Sequence, residues 1–130
     1  MEVLLDTHAW VWTLWDDARL TAPAREMLSR AGAVRVSPIS FYEIGQKVRI
    51  GKWPGMAPHL DGLPERLREQ GGQAAALTME VALTASRLDW PHRDPFDRII
   101  AATAALSGAT LLSADEVFDT LEGGGIRRVW

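Results

Sequence analysis

Short apolar strands that hand over to helices at an acidic residue are the feature that most constrains the fold of this chain. Val3-Leu4-Leu5 leads directly into Asp6, and Leu111-Leu112 leads through Ser113 and Ala114 into Asp115. Strands that alternate with helices of about ten residues indicate βαβ units and therefore parallel strands. We expect an α/β fold, with residues 1–130 forming a single three-layer α/β/α domain around a central parallel sheet of about five strands.

Hydrophobic periodicity and turn residues divide the chain into expected elements. The expected strands are residues 2–5, 34–36, 74–77, 110–112 and 126–129. The expected helices are residues 7–15, 21–30, 40–50, 60–67, 81–88, 95–107 and 114–121, with loops at 51–58 and 90–94. We find no internal repeat, low-complexity tract or second domain.

Four acidic residues near the predicted strand-to-helix junctions are candidates for a shared site: Asp6, Glu43, Asp97 and Asp115. In a parallel sheet such junctions converge on one edge, which is where ligands bind. Four carboxylates crowded together repel one another unless a positive charge lies among them. A hard divalent cation with oxygen ligands, Mg²⁺ or Mn²⁺, is the natural candidate. The chain has no cysteine, which excludes thiolate metal sites and disulfides.

Each acid also has an explanation without chemistry. Ser40-x-x-Glu43 fits a capping box, and Asp94-Pro95-Phe96-Asp97 fits a helix start with an acid in the first turn. Asp115 likewise opens a helix. Asp6 is harder to explain this way, because it follows an apolar strand and Asp is depleted in strands. Both interpretations stay open for each acid alone, whereas the four together favour a common site.

Composition and charge exclude some classes of protein and leave others open. Hydrophobic residues make up 47% and charged residues 24%, which is ordinary for a globular domain. No apolar run approaches the roughly 20 residues of a membrane span, and no basic leader precedes the first strand, so we expect a cytoplasmic protein without membrane contact. Leaving out the four candidate ligands changes the net charge from −3 to +1, so net charge does not exclude nucleic acid.

Four blocks of the sequence resemble the PIN domain, and more specifically the VapC toxins of type II toxin–antitoxin systems. They are Leu4-Leu5-Asp6-Thr7-His8, Ser40-x-x-Glu43, Asp94-Pro95-Phe96-Asp97-Arg98 and Leu111-Leu112-Ser113-Ala114-Asp115. The blocks occur in family order and cover essentially the whole chain. The Asp-Pro-Phe-Asp-Arg block, typical of one subgroup, is the most specific.

The resemblance implies a PIN-like fold and a Mg²⁺- or Mn²⁺-dependent endoribonuclease that hydrolyses RNA with a water molecule activated by the metal. It also implies a homodimer that a cognate antitoxin inhibits. The family's acidic quartet falls on the four candidate acids, of which Glu43 either binds the metal or orients the water. Ser113 takes the place of the small hydroxyl residue near the last acid, and Asp94 is a cap or supports the ligands. Thr7 and Arg98 are further candidates, with Arg98 either contacting substrate phosphate or pairing with an acid.

Other side chains have less specific signals. We interpret His8 as a structural or rim residue rather than a ligand. The cations Lys47, Arg49 and Lys52 suit either the end of a helix or an RNA-binding rim. Trp10, Trp12 and Trp15 alternate on one early helix, so they cannot all face one core, and part of that surface is expected to meet a partner.

Two rival classes compete with this interpretation, a phosphotransfer fold and a PIN-fold module that does not cleave. A haloacid-dehalogenase-type phosphatase needs a second Asp where this chain has His8, and a response-regulator receiver needs a Lys where only Arg127 and Arg128 occur. A PIN-fold module that binds RNA or a partner without cleaving is the remaining alternative. The intact acidic quartet argues against it, and a metal-dependent RNase assay separates the two.

Overall fold

A five-stranded parallel sheet forms the centre of the computed structural model, which describes all 130 residues. The strands are β1 (Glu2–Leu5), β2 (Ala33–Val36), β3 (Gln73–Ala74), β4 (Thr110–Leu112) and β5 (Arg127–Val129). Their order is β3-β2-β1-β4-β5, and every pairing is parallel. Strand β1 is central, with Leu5 opposite Val36 on one side and Leu112 on the other. The predicted fold class is confirmed.

Six α-helices and two 3₁₀ segments connect the strands. The helices are α1 (Thr7–Leu14), α2 (Ala22–Arg30), α3 (Pro38–Arg49), α4 (Leu63–Glu69), α5 (Met79–Arg87) and α6 (Pro95–Ser107). The 3₁₀ segments are Pro54–Gly62 and Glu116–Thr120. None of the helices has the length and apolar character needed to cross a membrane.

The core has two parts because successive side chains of a strand point to opposite faces of the sheet. Val3 and Leu5 of β1 belong to a buried cluster with residues of α1, α3 and α4. Leu4, between them, belongs to a second cluster with Ile100 of α6 and Leu111 of β4. Helices therefore cover both faces of the sheet, which gives the three layers expected from the sequence.

The start of α3 differs from the prediction. Ser37, not Ser40, is the N-cap, and its hydroxyl accepts from the amide of Ile39 at 3.1 Å. Pro38 follows at the first helical position, where its fixed φ suits a helix and its missing N–H costs nothing. The capping box proposed for Ser40 and Glu43 is therefore wrong, because both side chains lie inside α3 and are buried.

Other boundaries also moved. The loop expected at residues 51–58 is wrong from Pro54 onward, where a 3₁₀ segment continues to Gly62 and delays α4 to Leu63. The last predicted helix is a short 3₁₀ segment, and β3 pairs through Gln73–Ala74 only. Short 3₁₀ turns tolerate residues such as Pro58 that interrupt a longer α-helix.

The three tryptophans of the early helix have different surroundings, as predicted. Trp10 is fully buried and donates from its indole N–H to Gln70 at 2.9 Å. Trp12 is half-buried, and Trp15, the C-cap of α1, is 47% exposed. The outer part of this aromatic row is therefore available to solvent.

Candidate active site

A polar cleft of about 420 Å³ lies at the edge of the sheet where the parallel strands end. It is lined by Asp6, Glu43, Asp97 and Asp115, together with Thr7, His8, Trp12, Lys47, Asp94 and Ala114. The structure thus brings the four candidate acids to one cleft, with Asp94 as a fifth. Lys47 is the only lysine or arginine in its lining. Ser113 and Arg98 lie outside this lining, and of the two only Ser113 forms side-chain hydrogen bonds with lining residues, Asp6 and Asp115.

Asp6 connects β1 to α1. Its amide donates to the carbonyl of Leu112 at 3.1 Å, which continues the pairing of β1 with β4. One carboxylate oxygen, Oδ1, accepts from the amide of Ala9 at 2.9 Å and so caps α1. The other, Oδ2, accepts from the hydroxyl of Ser113. Asp6 is thus both a helix cap and a wall of the cleft, so the two interpretations of this residue are compatible.

Glu43 is buried within α3, and both of its carboxylate oxygens have partners in the protein. Oε1 accepts from the hydroxyl of Thr7, which also lies 2.8 Å from the hydroxyl of Ser40. Oε2 lies 2.7 Å from the ammonium nitrogen of Lys47. Lys47 therefore neutralises Glu43, the only acid of α3, a role that the sequence did not indicate.

Asp94 and Asp97 are placed by the first turn of α6. Asp94 is the N-cap, and its Oδ1 accepts from the amides of Phe96 and Asp97 at 2.8 and 3.2 Å. Asp97 Oδ2 lies 2.7 Å from Nε2 of His92. Ligand atoms of His92, Asp94 and Asp97 all lie within 4.8 Å of one another. Sequence reasoning missed His92, whose only signal was its place two residues before the cap.

Asp115 lies across the cleft at the start of the second 3₁₀ segment. Its Oδ1 accepts from the amide of Val117 at 2.9 Å, and its own amide donates to the hydroxyl of Ser113 at 3.0 Å. The residue is exposed, and its Oδ2 has no hydrogen-bond partner in the structure. Ser113 therefore ties Asp6 and Asp115 together.

Arg98 points away from the acids. Its guanidinium donates to the carbonyl oxygens of Ala85, Leu88, Trp90 and His92 at 2.7 to 3.0 Å. In this arrangement the side chain binds the segment between α5 and α6 rather than an acid. These four bonds leave only one N–H of the guanidinium, on Nη2, without a partner.

The sequence profile of the PIN domain family matches residues 3–124. The chain belongs to the PIN domain family. Ribonuclease VapC22 of Mycobacterium tuberculosis is 32% identical to this PIN domain over 116 residues, which covers 87% of the chain and 86% of VapC22. Membership of the Asp-Pro-Phe-Asp-Arg subgroup stays a prediction.

Solved structures show the same fold at low sequence identity. VapBC2 from Rickettsia felis, bound to a DNA fragment from its promoter, matches with a TM-score of 0.66 and 13% identity over 99% of this PIN domain and 98% of that chain. DNA-bound VapBC from Salmonella typhimurium matches with a TM-score of 0.67 and 17% identity, over 99% of this chain and 97% of that chain. A toxin–antitoxin complex from Klebsiella pneumoniae matches with a TM-score of 0.64 and 17% identity, over 98% of this chain and 96% of that chain.

The acids of this PIN domain perturb one another. Burial raises the pKa of Asp6 to about 6, and the charges of Asp97 and Glu43 add to the effect, while the bonds from Ser113 and Ala9 oppose it. Burial also raises the pKa of Asp97 to about 6. The charge of Asp94 adds to this rise, and the hydrogen bond from His92 opposes it. Both carboxylates are therefore costly to ionise in the metal-free protein.

The donor set fits a hard divalent cation. It consists of carboxylate oxygens, and hydrogen bonds from the protein leave Asp97 Oδ1 and Asp115 Oδ2 free. Mg²⁺ is usually held by one or two carboxylates and keeps several waters, so the acids need not converge closely. Positive charge at this position would also favour the ionised forms of Asp6 and Asp97, whose pKa values are raised by burial and, to a smaller extent, by neighbouring carboxylates.

A second cleft, of about 490 Å³, opens beside the first and shares His8 and Trp12 with it. Its lining also includes Trp15, Trp53 and His59. His8 is exposed and stacks on Trp53, with ring centroids 4.8 Å apart. This agrees with the prediction of a rim residue. Arg49 and Lys52 are exposed and line neither cleft, so of the three predicted cations only Lys47 faces the acids.

Proposed function

We propose that this PIN domain, residues 1–130, is a Mg²⁺- or Mn²⁺-dependent endoribonuclease and the toxin of a type II toxin–antitoxin module. The observation that carries the proposal is the cleft in which five carboxylates face a single lysine. The relation to Ribonuclease VapC22 supports RNA as the substrate. The geometry supplies no thiol and no histidine pair as an alternative catalytic apparatus.

The residues divide by role. Asp6, Asp97 and Asp115 would hold the cation, and Glu43 would either join them or orient the attacking water. When bound, the metal supplies a Lewis acid for the phosphate oxygens and lowers the pKa of a water ligand. Ser113 and Thr7 hold Asp6 and Glu43 in place through their hydroxyls.

Lys47 is the one lysine or arginine in the lining of the cleft that a substrate phosphate would enter. In the metal-free arrangement it is paired with Glu43 at 2.7 Å. A phosphate group that enters the cleft offers the ammonium group a second partner, since Lys binds phosphate as a point charge.

An RNase assay tests the proposal. Purified protein should cleave single-stranded RNA with Mg²⁺ or Mn²⁺, lose activity in EDTA, and regain it when the metal is restored. Asp97→Asn should abolish cleavage, whereas Asp61→Asn, which changes an exposed acid outside the cleft, should not. Full activity in EDTA would refute the metal mechanism. RNA binding without cleavage in Mg²⁺ would support the alternative of a non-cleaving module.

The partners follow from the same proposal. We expect a cytoplasmic homodimer with a cognate antitoxin, and the structural neighbours from three bacteria are toxin–antitoxin complexes. The exposed ring of Trp15 and the cleft that it shares with Trp12 offer a surface for the antitoxin. An antitoxin arginine that enters the acidic cleft would pair with its carboxylates in place of the metal.

Expression of the chain alone should arrest growth, and co-expression of the cognate antitoxin should prevent the arrest and yield a stable complex. Size-exclusion chromatography with light scattering measures both the dimer and the complex. Absence of growth arrest and of any co-purifying antitoxin would reject the toxin assignment while leaving the nuclease assignment intact.

A further inference from the structure

His92 gives Asp97 a fixed hydrogen-bond donor. Nε2 of the imidazole lies 2.7 Å from Oδ2 of Asp97. An ionised carboxylate only accepts hydrogen bonds, so the proton in this bond is on Nε2. Asp97 lines the cleft, and its Oδ1 has no hydrogen-bond partner in the structure. One oxygen of the carboxylate is thus held while the other is free for a cation.

The loop that carries His92 is held in turn. Arg98, the residue after Asp97, donates Nη1 to the carbonyl oxygens of His92 and Trp90 at 2.9 and 2.8 Å. The indole of Trp90 contacts the imidazole with centroids 4.8 Å apart and donates to the hydroxyl of Thr120 at 2.8 Å. Asp97 and Arg98, the residue that holds the His92 loop, are therefore neighbours on the first turn of α6.

Two roles for His92 are compatible with its position. It lies close enough to Asp94 and Asp97 to be a metal ligand. However, Mg²⁺ takes oxygen ligands, and the nitrogen nearest the acids is already committed to Asp97 Oδ2. The contact between His92 and Asp97, in a loop that Arg98 holds, therefore suits an imidazole that orients a ligating carboxylate.

We propose that His92 is a positioning residue, which fixes the Asp97 carboxylate so that Oδ1 faces the cation, and that Arg98 fixes His92. This inference rests on the proposed metal site. Residues that orient metal ligands in this way typically contribute about 10–100-fold to metal affinity. The prediction is therefore a change in metal affinity that can be measured without RNA.

Mn²⁺ affinity, measured by electron paramagnetic resonance at pH 7.5, tests the role. His92→Phe keeps a ring against Trp90 and removes the donor, and we expect its Mn²⁺ affinity to fall about tenfold or more. His92→Gln can present an amide N–H near the position of Nε2 and should restore most of the affinity. His59→Phe, in the neighbouring cleft, is the matched control and should bind Mn²⁺ like the wild type.

The possible outcomes separate this inference from the proposed function. Equal Mn²⁺ affinity in the wild type and His92→Phe would overturn the inference alone. Equal losses in His92→Phe and His92→Gln would also overturn it, because a general packing defect would then explain both. A nitrogen coupling to bound Mn²⁺ in the wild type that disappears in His92→Phe would make His92 a ligand instead. A wild type that binds no Mn²⁺ would reject both the metal site and its positioning residue.

Discussion

Asp97→Asn should make the metal-free protein more stable while it abolishes cleavage. The substitution removes one of five crowded negative charges with little change of shape. Asp97 is 18% exposed at its side chain, and its pKa rises from 3.8 to about 6. A rise of about two units corresponds to about 3 kcal/mol at neutral pH, since each unit is 1.36 kcal/mol. We expect a gain of about 1–3 kcal/mol, because Asn also gives up a favourable helix-dipole interaction at the start of α6.

The gain should depend on pH in a defined direction. Folding raises the pKa of Asp97, so its folded form binds more protons than its unfolded form between about pH 4 and 6. Wild-type stability therefore falls as pH rises through this window, and the Asn variant lacks this contribution. The advantage of the variant should be largest above about pH 7 and should be smaller by about 2 kcal/mol near pH 4.5.

Urea unfolding in EDTA at pH 7.5 and pH 4.5 measures this difference, and thermal melts complement it. For a chain of this length 1 kcal/mol corresponds to about 3–5 °C in Tm. Millimolar Mg²⁺ should then raise the Tm of the wild type by mass action and that of the variant much less. Asp61→Asn is the control with an exposed carboxylate. An Asp97→Asn protein that unfolds well below the wild type in EDTA at pH 7.5 would refute the argument and make Asp97 mainly a helix-start residue.

Three other substitutions test separate parts of the structure. Arg98→Met should destabilise the protein by about 2–4 kcal/mol in urea unfolding, because it orphans four backbone carbonyls. Lys47→Met should lower stability in EDTA by about 1–3 kcal/mol, since it leaves Glu43 buried and unpaired, yet raise Mg²⁺ affinity in calorimetry. Trp10→Ala should cost about 3–5 kcal/mol, as it empties a fully buried site.

Each of these has a contrary result. Arg98→Met at wild-type stability would mean that water replaces the guanidinium at the carbonyls without cost. Weaker Mg²⁺ binding in Lys47→Met would show that Lys47 organises the cleft rather than opposing the cation. A loss below 1 kcal/mol in Trp10→Ala would mean that the core around α1 collapses into the space.

The placement of the four acids in one cleft could be predicted from the sequence, because it depends on local pattern and sheet direction. An apolar run followed by Asp6 or Asp115 marks the carboxyl end of a parallel strand, and all such ends lie at one edge. Asp94 was also predictable as a cap, because Asp before Pro95 is a local helix-start signal.

Features that depend on distant contacts could not be predicted. His92 and Arg98 have roles set by the path of the loop between α5 and α6, which no periodicity encodes. The pairing of Lys47 with Glu43 has the i,i+4 spacing of a helix, but its importance comes from the burial of the acid. Ser40 has the spacing of a capping box, but Ser37, three residues earlier, offers the same hydroxyl followed by a proline and caps α3 instead.

The hydrogen bond from Ser113 to Asp6 joins residues 107 positions apart in sequence. During synthesis β1 emerges first, whereas its partner β4 and the hydroxyl that holds Asp6 are made more than 100 residues later. A growing chain can thus form α1 and α3 while the cleft still lacks its Asp115 wall. A chain that stops short of residue 113 lacks both the hydroxyl that holds Asp6 and the Asp115 wall of the cleft, so the proposed hydrolytic site is incomplete in it.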